Sequence, residues 1–236
     1  SSDLPDLGAF AVKAATLEAG VKDADQIIMG NVLSAGQGQA PARQAALKAG
    51  LSIGTQAVTL NKMCGSGLQA VVMARQALLA GEADVVVAGG MENMSRAPFL
   101  LTSHRGGKKY GHDKMLDHMA YDGLEDAYEG LAMGVYADQA AKDYQLTRTQ
   151  QDAYALETLT RAQNATKEGR FKREIAVIDL KGIVVETDEL PRKAKPEKIP
   201  SLKPAFTDGG TVTAANASAI SDGAAALVLM REDDAK

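Results

Sequence analysis

A chain of 236 residues can bury a sizeable core, either as one large domain or as two smaller ones. Its 45% hydrophobic and 24% charged residues are a globular balance, and a net charge of −4 with a pI near 5.5 excludes a sequence-independent nucleic-acid binder, though not a local basic patch for a phosphorylated ligand. One cysteine excludes an internal disulfide and suits a reducing compartment, so a cytoplasmic location is expected, and no apolar run reaches the ~18 residues of a spanning helix.

No secretory signal is expected at the start of the chain. It starts at Ser1 without Met and runs directly into a helical pattern, so the true N-terminus is expected further upstream. Residues 6–19 read as a helix closed by Gly20. Residues 27–33 read as a buried strand. Pro41 sits where a first helical residue belongs and opens a second helix. Ala57–Leu60 reads as a short strand, followed by a helix after Cys64. In that helix Leu68, Val71, Val72, Leu78 and Leu79 share one face, interrupted by Arg75. Gly81 closes it, and 84–90 follows as a buried strand and turn. Strand, helix, strand with short connections predicts a right-handed βαβ unit on a parallel sheet.

The composition then changes. Residues 51–100 carry six charged side chains and residues 101–200 carry thirty-three, which predicts a solvated, mostly helical insertion. Thr147 and Gln150 form a capping box that starts a long helix running to about Gly169. A strand over 174–180 and a basic, proline-punctuated loop over 191–204 follow. Leu227–Met230 reads as an apolar strand on which the chain returns to the first sheet. No internal repeat is visible.

Cys64 stands at a strand-to-helix turn in Asn61-Lys62-Met63-Cys64-Gly65-Ser66-Gly67. The thiolate is the nucleophile, and a helix N-terminus favours an anion. Gly65 and Gly67 remove side chains, so a large substrate can approach the sulfur. Backbone N–H groups at such a turn can hold a developing oxyanion. The setting suits covalent acyl transfer, with a thioester as the natural partner because one thioester replaces another. A buried structural cysteine at a helix start fits the same residues, and the glycines alone do not separate the two readings.

Four motifs in order separate them. Asn61 through Leu68, with Val87-Ala88-Gly89-Gly90-Met91-Glu92-Asn93-Met94-Ser95 after the helix, resembles the active-site region of the thiolase family. The resemblance extends to Gly38-Gln39-Ala40-Pro41-Ala42-Arg43 and to Thr211-Val212-Thr213-Ala214-Ala215-Asn216-Ala217-Ser218 with Asp222-Gly223-Ala224, and it runs over essentially the whole chain. It implies an α/β fold: a βαβαβ core domain, half of a five-layered αβαβα arrangement, with an inserted, mainly helical loop domain. Residues 1–95 and 207–236 then match the N-terminal core domain without its opening strand. Residues 96–206 match the loop domain that covers coenzyme A, and the C-terminal core domain is not in this chain.

The resemblance, most like the acetyl-CoA acetyltransferase branch, implies an acyl-CoA C-acyltransferase. Cys64 would take the acyl group from one thioester, and a second, deprotonated at its α-carbon, would attack it. That condenses two acetyl-CoA to acetoacetyl-CoA, or cleaves a 3-ketoacyl-CoA in reverse, with ping-pong kinetics. Coenzyme A thioesters are substrates, and no further cofactor, metal, nucleic acid or membrane is implied. Leu124, Met133 with Gly134, Phe206, Ala214 and Ser218 match positions along the pantetheine arm, and Arg192 matches an arginine near the adenine. A homo-oligomer, tetramer or dimer, is implied.

Three family features are missing: the Gly-His-Pro histidine, the Asn-Glu-Ala-Phe segment and the second cysteine in Cys-x-Gly. The three histidines, His104, His112 and His118, lie in one charged segment and read as solvated or interfacial. This chain alone is therefore expected to lack turnover. Ala132 stands where acetoacetyl-CoA thiolases often carry His, which keeps a 3-ketoacyl-CoA thiolase of broader chain length open. A non-catalytic coenzyme A binding fragment is the other alternative. A ketoacyl synthase is disfavoured by Cys-Gly-Ser-Gly and Met133-Gly134, and a cysteine peptidase by the clustering of the histidines.

Overall fold

A computed structural model of the chain describes residues 4–180 and 182–236. The elements are α1 (Leu4–Glu18), β1 (Gln26–Gly30), α2 (Pro41–Ala49), β2 (Gln56–Leu60), α3 (Ser66–Ala80), β3 (Val85–Asn93), β4 (Phe99–Leu100), β5 (Leu116–Asp117), α4 (Met133–Asp143), α5 (Arg148–Lys167), β6 (Ile178–Leu180), β7 (Ile183–Val185), α6 (Glu189–Lys193) and β8 (Asp222–Met230). Two compact units result: one holds the residues up to Gly123 and Ser221–Lys236, the other Leu124–Ile220.

The first unit is the α/β core. Its sheet has the order β2-β1-β3-β8. β1 runs parallel to β2 and β3, while β8 returns antiparallel to β3, with Val87 opposite Val228. Side chains alternate across each strand. Ile27, Met29, Val87 and Met91 pack with Leu4, Val12, Ala42 and Ala45 of α1 and α2. Ile28, Val86 and Ala88 pack on the other face with Ala70, Ala74, Ala77 and Leu78 of α3. Burial on both faces explains why β1 and β3 read as continuous apolar runs rather than alternating ones.

The buried face of α3 keeps only part of the stripe expected from its large apolar residues: Leu78 is buried and Val71 packs beside it. Ala70, Ala74, Ala77 and Leu78 face the sheet, whereas Leu68 is 73% and Leu79 69% exposed, with Val72 also exposed. The reason is proximity. A Cβ on Gly30 would lie 2.6 Å from the Ser66 Cβ and 2.8 Å from its carbonyl carbon, so the first turn of α3 rests almost directly on β1. Near that contact the helix turns its alanines to the sheet, and the one large residue on the buried face, Leu78, lies in the last turn.

The second unit is built on α4 and α5. Thr147 caps α5 through the expected capping box with Gln150. The strand expected over 174–180 contracts to β6, paired with β7 as a hairpin. The loop expected over 191–204 instead contains the end of α6 and a 3-10 turn, Pro196–Ser201. The units meet at 123/124 and 220/221, whereas the composition changes near 95 and 206. Two anchors account for this. His118 N–H donates to the Pro98 carbonyl and His118 Nε2 accepts from Ala35 N–H, which keeps 96–123 with the first unit. Side chains of α4 and α5 hold 207–216 in the second. No helix among the described residues is long and apolar enough to cross a membrane.

Candidate active site

The turn between β2 and α3 is closed by its own residues. Asn61 Oδ1 accepts from Met63 N–H at 2.9 Å, an Asx turn. Met63 then takes a left-handed backbone, φ 49°. Gly65 N–H donates to the Lys62 carbonyl, and Ser66 N–H to the Met63 carbonyl. The Ser66 hydroxyl is buried beneath the turn, where it accepts from Lys62 N–H at 2.8 Å and donates to the Met63 carbonyl at 2.6 Å. These bonds close a tight loop whose outward residue is Cys64. The thiol is exposed and stands one residue before Gly65, the N-cap of α3, which has no side-chain cap. In this chain Cys64 is exposed rather than buried at the helix start.

Gly30 brings this turn to the carboxyl ends of the parallel strands, where α/β sheets bind ligands. Gly30 ends β1 under Ser66, and a Cβ on Gly90 of β3 would lie 3.6 Å from the Gly67 Cα. Beside them the segment after β1 is pinned by Glu92. Its carboxylate accepts from Asn31 Nδ2 (2.9 Å), Val32 N–H (2.9 Å) and Leu33 N–H (3.1 Å). Asn31 Oδ1 is buried and without a hydrogen-bond partner. The sequence contains Glu92 within a motif, but nothing local marks its role.

The histidines separate. His104 Nδ1 pairs with Asp113 Oδ2 at 2.7 Å on a surface loop. His118 is only 5% exposed, against the expectation of a solvated or interfacial residue. Because its Nε2 accepts from Ala35 N–H, Nδ1 carries the proton toward Asp122 Oδ2, 2.5 Å away. The described residues gather no group of three or more His, Cys, Asp and Glu that could hold a metal.

Residues 1–233 match the family described as thiolase, N-terminal domain. The chain belongs to the thiolase family. It is 47% identical over 238 residues to the acetyl-CoA acetyltransferase of Saccharomyces pastorianus, covering 96% of this chain and 60% of that protein. It is 49% identical over 240 residues to the acetyl-CoA acetyltransferase of Cupriavidus necator, covering 98% of this chain and 61% of that one. A crystal structure of Acat5 thiolase from Ascaris suum in complex with coenzyme A superposes with a TM-score of 0.91 at 42% identity, over 97% of this chain and 60% of that chain. This thiolase chain therefore spans about 60% of the length of these relatives.

In this thiolase chain Leu124, Met133, Arg192, Phe206, Ala214 and Ser218 all fall in the second unit. Met133 opens α4, and Gly134 lies against the Phe206 ring so closely that a Cβ there would enter it. Those two expected positions are therefore brought together. Ala214 and Ser218 are exposed on the segment that follows Phe206. Arg192 is exposed on α6, which α5 holds through Gln163 Nε2 donating to the Pro191 carbonyl at 2.9 Å. Cys64 belongs to the first unit.

Proposed function

We propose that this chain is the acyl-accepting part of an acetyl-CoA C-acetyltransferase. The observation that carries the reading is the exposed Cys64 on a closed turn just ahead of α3, in a member of the thiolase family. Cys64 Sγ attacks the carbonyl carbon of acetyl-CoA, forming a tetrahedral oxyanion. The Gly65 and Ser66 N–H groups are taken by the turn, so the backbone N–H groups of Gly67 and Leu68, next in the first turn of α3, are the donors that helix offers for that charge. Collapse expels the coenzyme A thiolate and leaves acetyl-Cys64. In the second half-reaction the carbanion of another acetyl-CoA attacks the acetyl carbonyl and releases acetoacetyl-CoA. Thiolysis of a 3-ketoacyl-CoA is the same path reversed. Leu124, Met133, Phe206, Ala214 and Ser218 would line the pantetheine arm, with Arg192 near the adenine. The residues around 96–206 would serve as the cover over coenzyme A, and the whole protein would be a homo-oligomer, tetramer or dimer.

The sequence holds a single Cys and no His followed by Pro, so this chain is proposed to accept an acyl group or bind coenzyme A without turning over. Intact mass after incubation with acetyl-CoA tests the reading. One acetyl group on the wild-type chain and none on Cys64→Ser supports it. An adduct that survives Cys64→Ser, or normal acetoacetyl-CoA cleavage by the 236-residue chain alone, overturns it.

A further inference from the structure

We infer that Asp138 is the positioning residue that shapes the coenzyme A segment of the second unit, an assignment that rests on the coenzyme A reading above. Asp138 lies in the middle of α4 and carries no mark in the sequence. Its Oδ1 accepts from Thr211 N–H at 2.8 Å and Val212 N–H at 2.9 Å, and its Oδ2 accepts from the Thr207 hydroxyl at 2.6 Å. A single carboxylate thus gathers three donors from a loop some seventy residues further along the chain.

The loop closes around it. Ala205 N–H donates to the Val212 carbonyl, and Gly210 N–H to the Thr207 carbonyl. A Cβ on Gly210 would collide with Asp138 Oδ2 and Thr207 Oγ1, so the carboxylate enters the space that glycine leaves, and a side chain there displaces it. Gly134 and Asp138 are four residues apart and share one face of α4. That face meets the Phe206 ring at Gly134 and the 207–212 loop at Asp138. From α5, Gln151 Nε2 donates to Thr211 Oγ1 at 2.9 Å. Asn216 then continues the brace, accepting from Thr213 N–H at 2.7 Å. The path from Phe206 to Ala214 and Ser218 therefore takes its shape from Asp138. Hydrogen bonds to a charged acceptor are the stronger kind, so one acidic side chain suffices.

The test compares four variants of the 236-residue chain by calorimetric titration with coenzyme A. Amide exchange at Thr211 and Val212 is followed alongside. Asp138→Ala is expected to weaken coenzyme A binding about tenfold or more and to expose both amides. Gly210→Ala, which pushes the loop off an intact Asp138, is expected to reproduce both effects. Asp138→Asn should restore protection and most of the affinity, since its Oδ1 can still accept from both amides while Nδ2 donates to the Thr207 hydroxyl. Thr147→Ala removes a helix cap in the same unit and should leave affinity unchanged, which separates positioning from general loss of stability. Wild-type affinity in Asp138→Ala, or an equal loss in Thr147→Ala, overturns the assignment. No binding by the unsubstituted chain overturns the coenzyme A reading itself and is recognised by the Thr211 and Val212 protection persisting without it.

Discussion

The two units fix their expected site residues by opposite means. Around Cys64 the geometry comes from a missing side chain: Gly30 lets the first turn of α3 rest on β1, and Asn61 Oδ1 and the buried Ser66 hydroxyl tie the turn together. Around Phe206–Ser218 it comes from long polar side chains on α4 and α5 that reach into a loop. A close-packed seat resists displacement, because an atom added at Gly30 meets the backbone of Ser66 and Gly67. A brace of hydrogen bonds resists only along its bonds and can be released one bond at a time. On the function proposed above, the first would suit an atom that meets a reacting carbonyl, and the second a surface that admits a long, flexible ligand arm.

If this contrast holds, substitutions in the seat cost more than those in the brace. Gly30→Ala should have the largest effect, a loss of about 3 kcal/mol from overpacking against Ser66 backbone and side chain. Equilibrium denaturation followed by circular dichroism measures it, the chain having no tryptophan to report by fluorescence. A loss below that of a cap substitution would mean the helix moves off the sheet freely, and the comparison would fall. Ser66→Ala comes next. It leaves Lys62 N–H without its buried acceptor and should cost about 2 kcal/mol. Because Ser66 also holds the Met63 carbonyl, alkylation of Cys64 by iodoacetamide should change its rate in this variant while the sheet stays intact.

Sequence and structure agree where a local rule decides and part where distance decides. Pro41 with Gly50 at φ 95° delimits α2, and Thr147 with Gln150 starts α5; each signal lies within one turn of what it controls. The Cys64 turn could be read as well, because Asn61 and the glycines act on their own backbone. The buried face of α3 could be read only in part, at Val71 and Leu78. Periodicity weighs hydrophobicity, whereas the face that meets the sheet was chosen by size, so Ala70, Ala74 and Ala77 displaced Leu68 and Leu79. The side-chain anchors were equally hidden. Ala35 lies eighty-three residues from His118, and Thr211 seventy-three from Asp138, and neither residue carries a local trace of its partner.

A smaller effect sharpens the contrast from the side of the brace. Thr147→Ala removes the capping bond to Gln150 N–H at an exposed helix start and should cost about 1 kcal/mol by the same denaturation measurement. A cost as large as that of Gly30→Ala would show that the second unit is as tightly coupled as the seat.

The smallest effect is silent at neutral pH and emerges only in acid. Burial pushes the Asp138 carboxyl up, but the Thr207 hydroxyl and the Val212 and Thr211 amides outweigh it, so its pKa lies below the ordinary value. In the first unit Asp25 is lowered as well, chiefly by the Val85 amide and then that of Asp84, against burial and the nearby Asp23 charge. A carboxyl whose folded pKa is depressed stabilises the fold above its unfolded value and loses that contribution as pH falls through the folded one. Amide protection should therefore drop at Thr211 and Val212, and at Asp84 and Val85, only below the usual carboxylate range of about 4. Asp138→Asn should remove the acid response of the first pair alone, and Asp25→Asn that of the second alone. Independent responses mean that each carboxylate governs its own loop. A single shared transition, unmoved by either substitution, would mean that acid acts on the whole fold at once and that the brace cannot be released bond by bond.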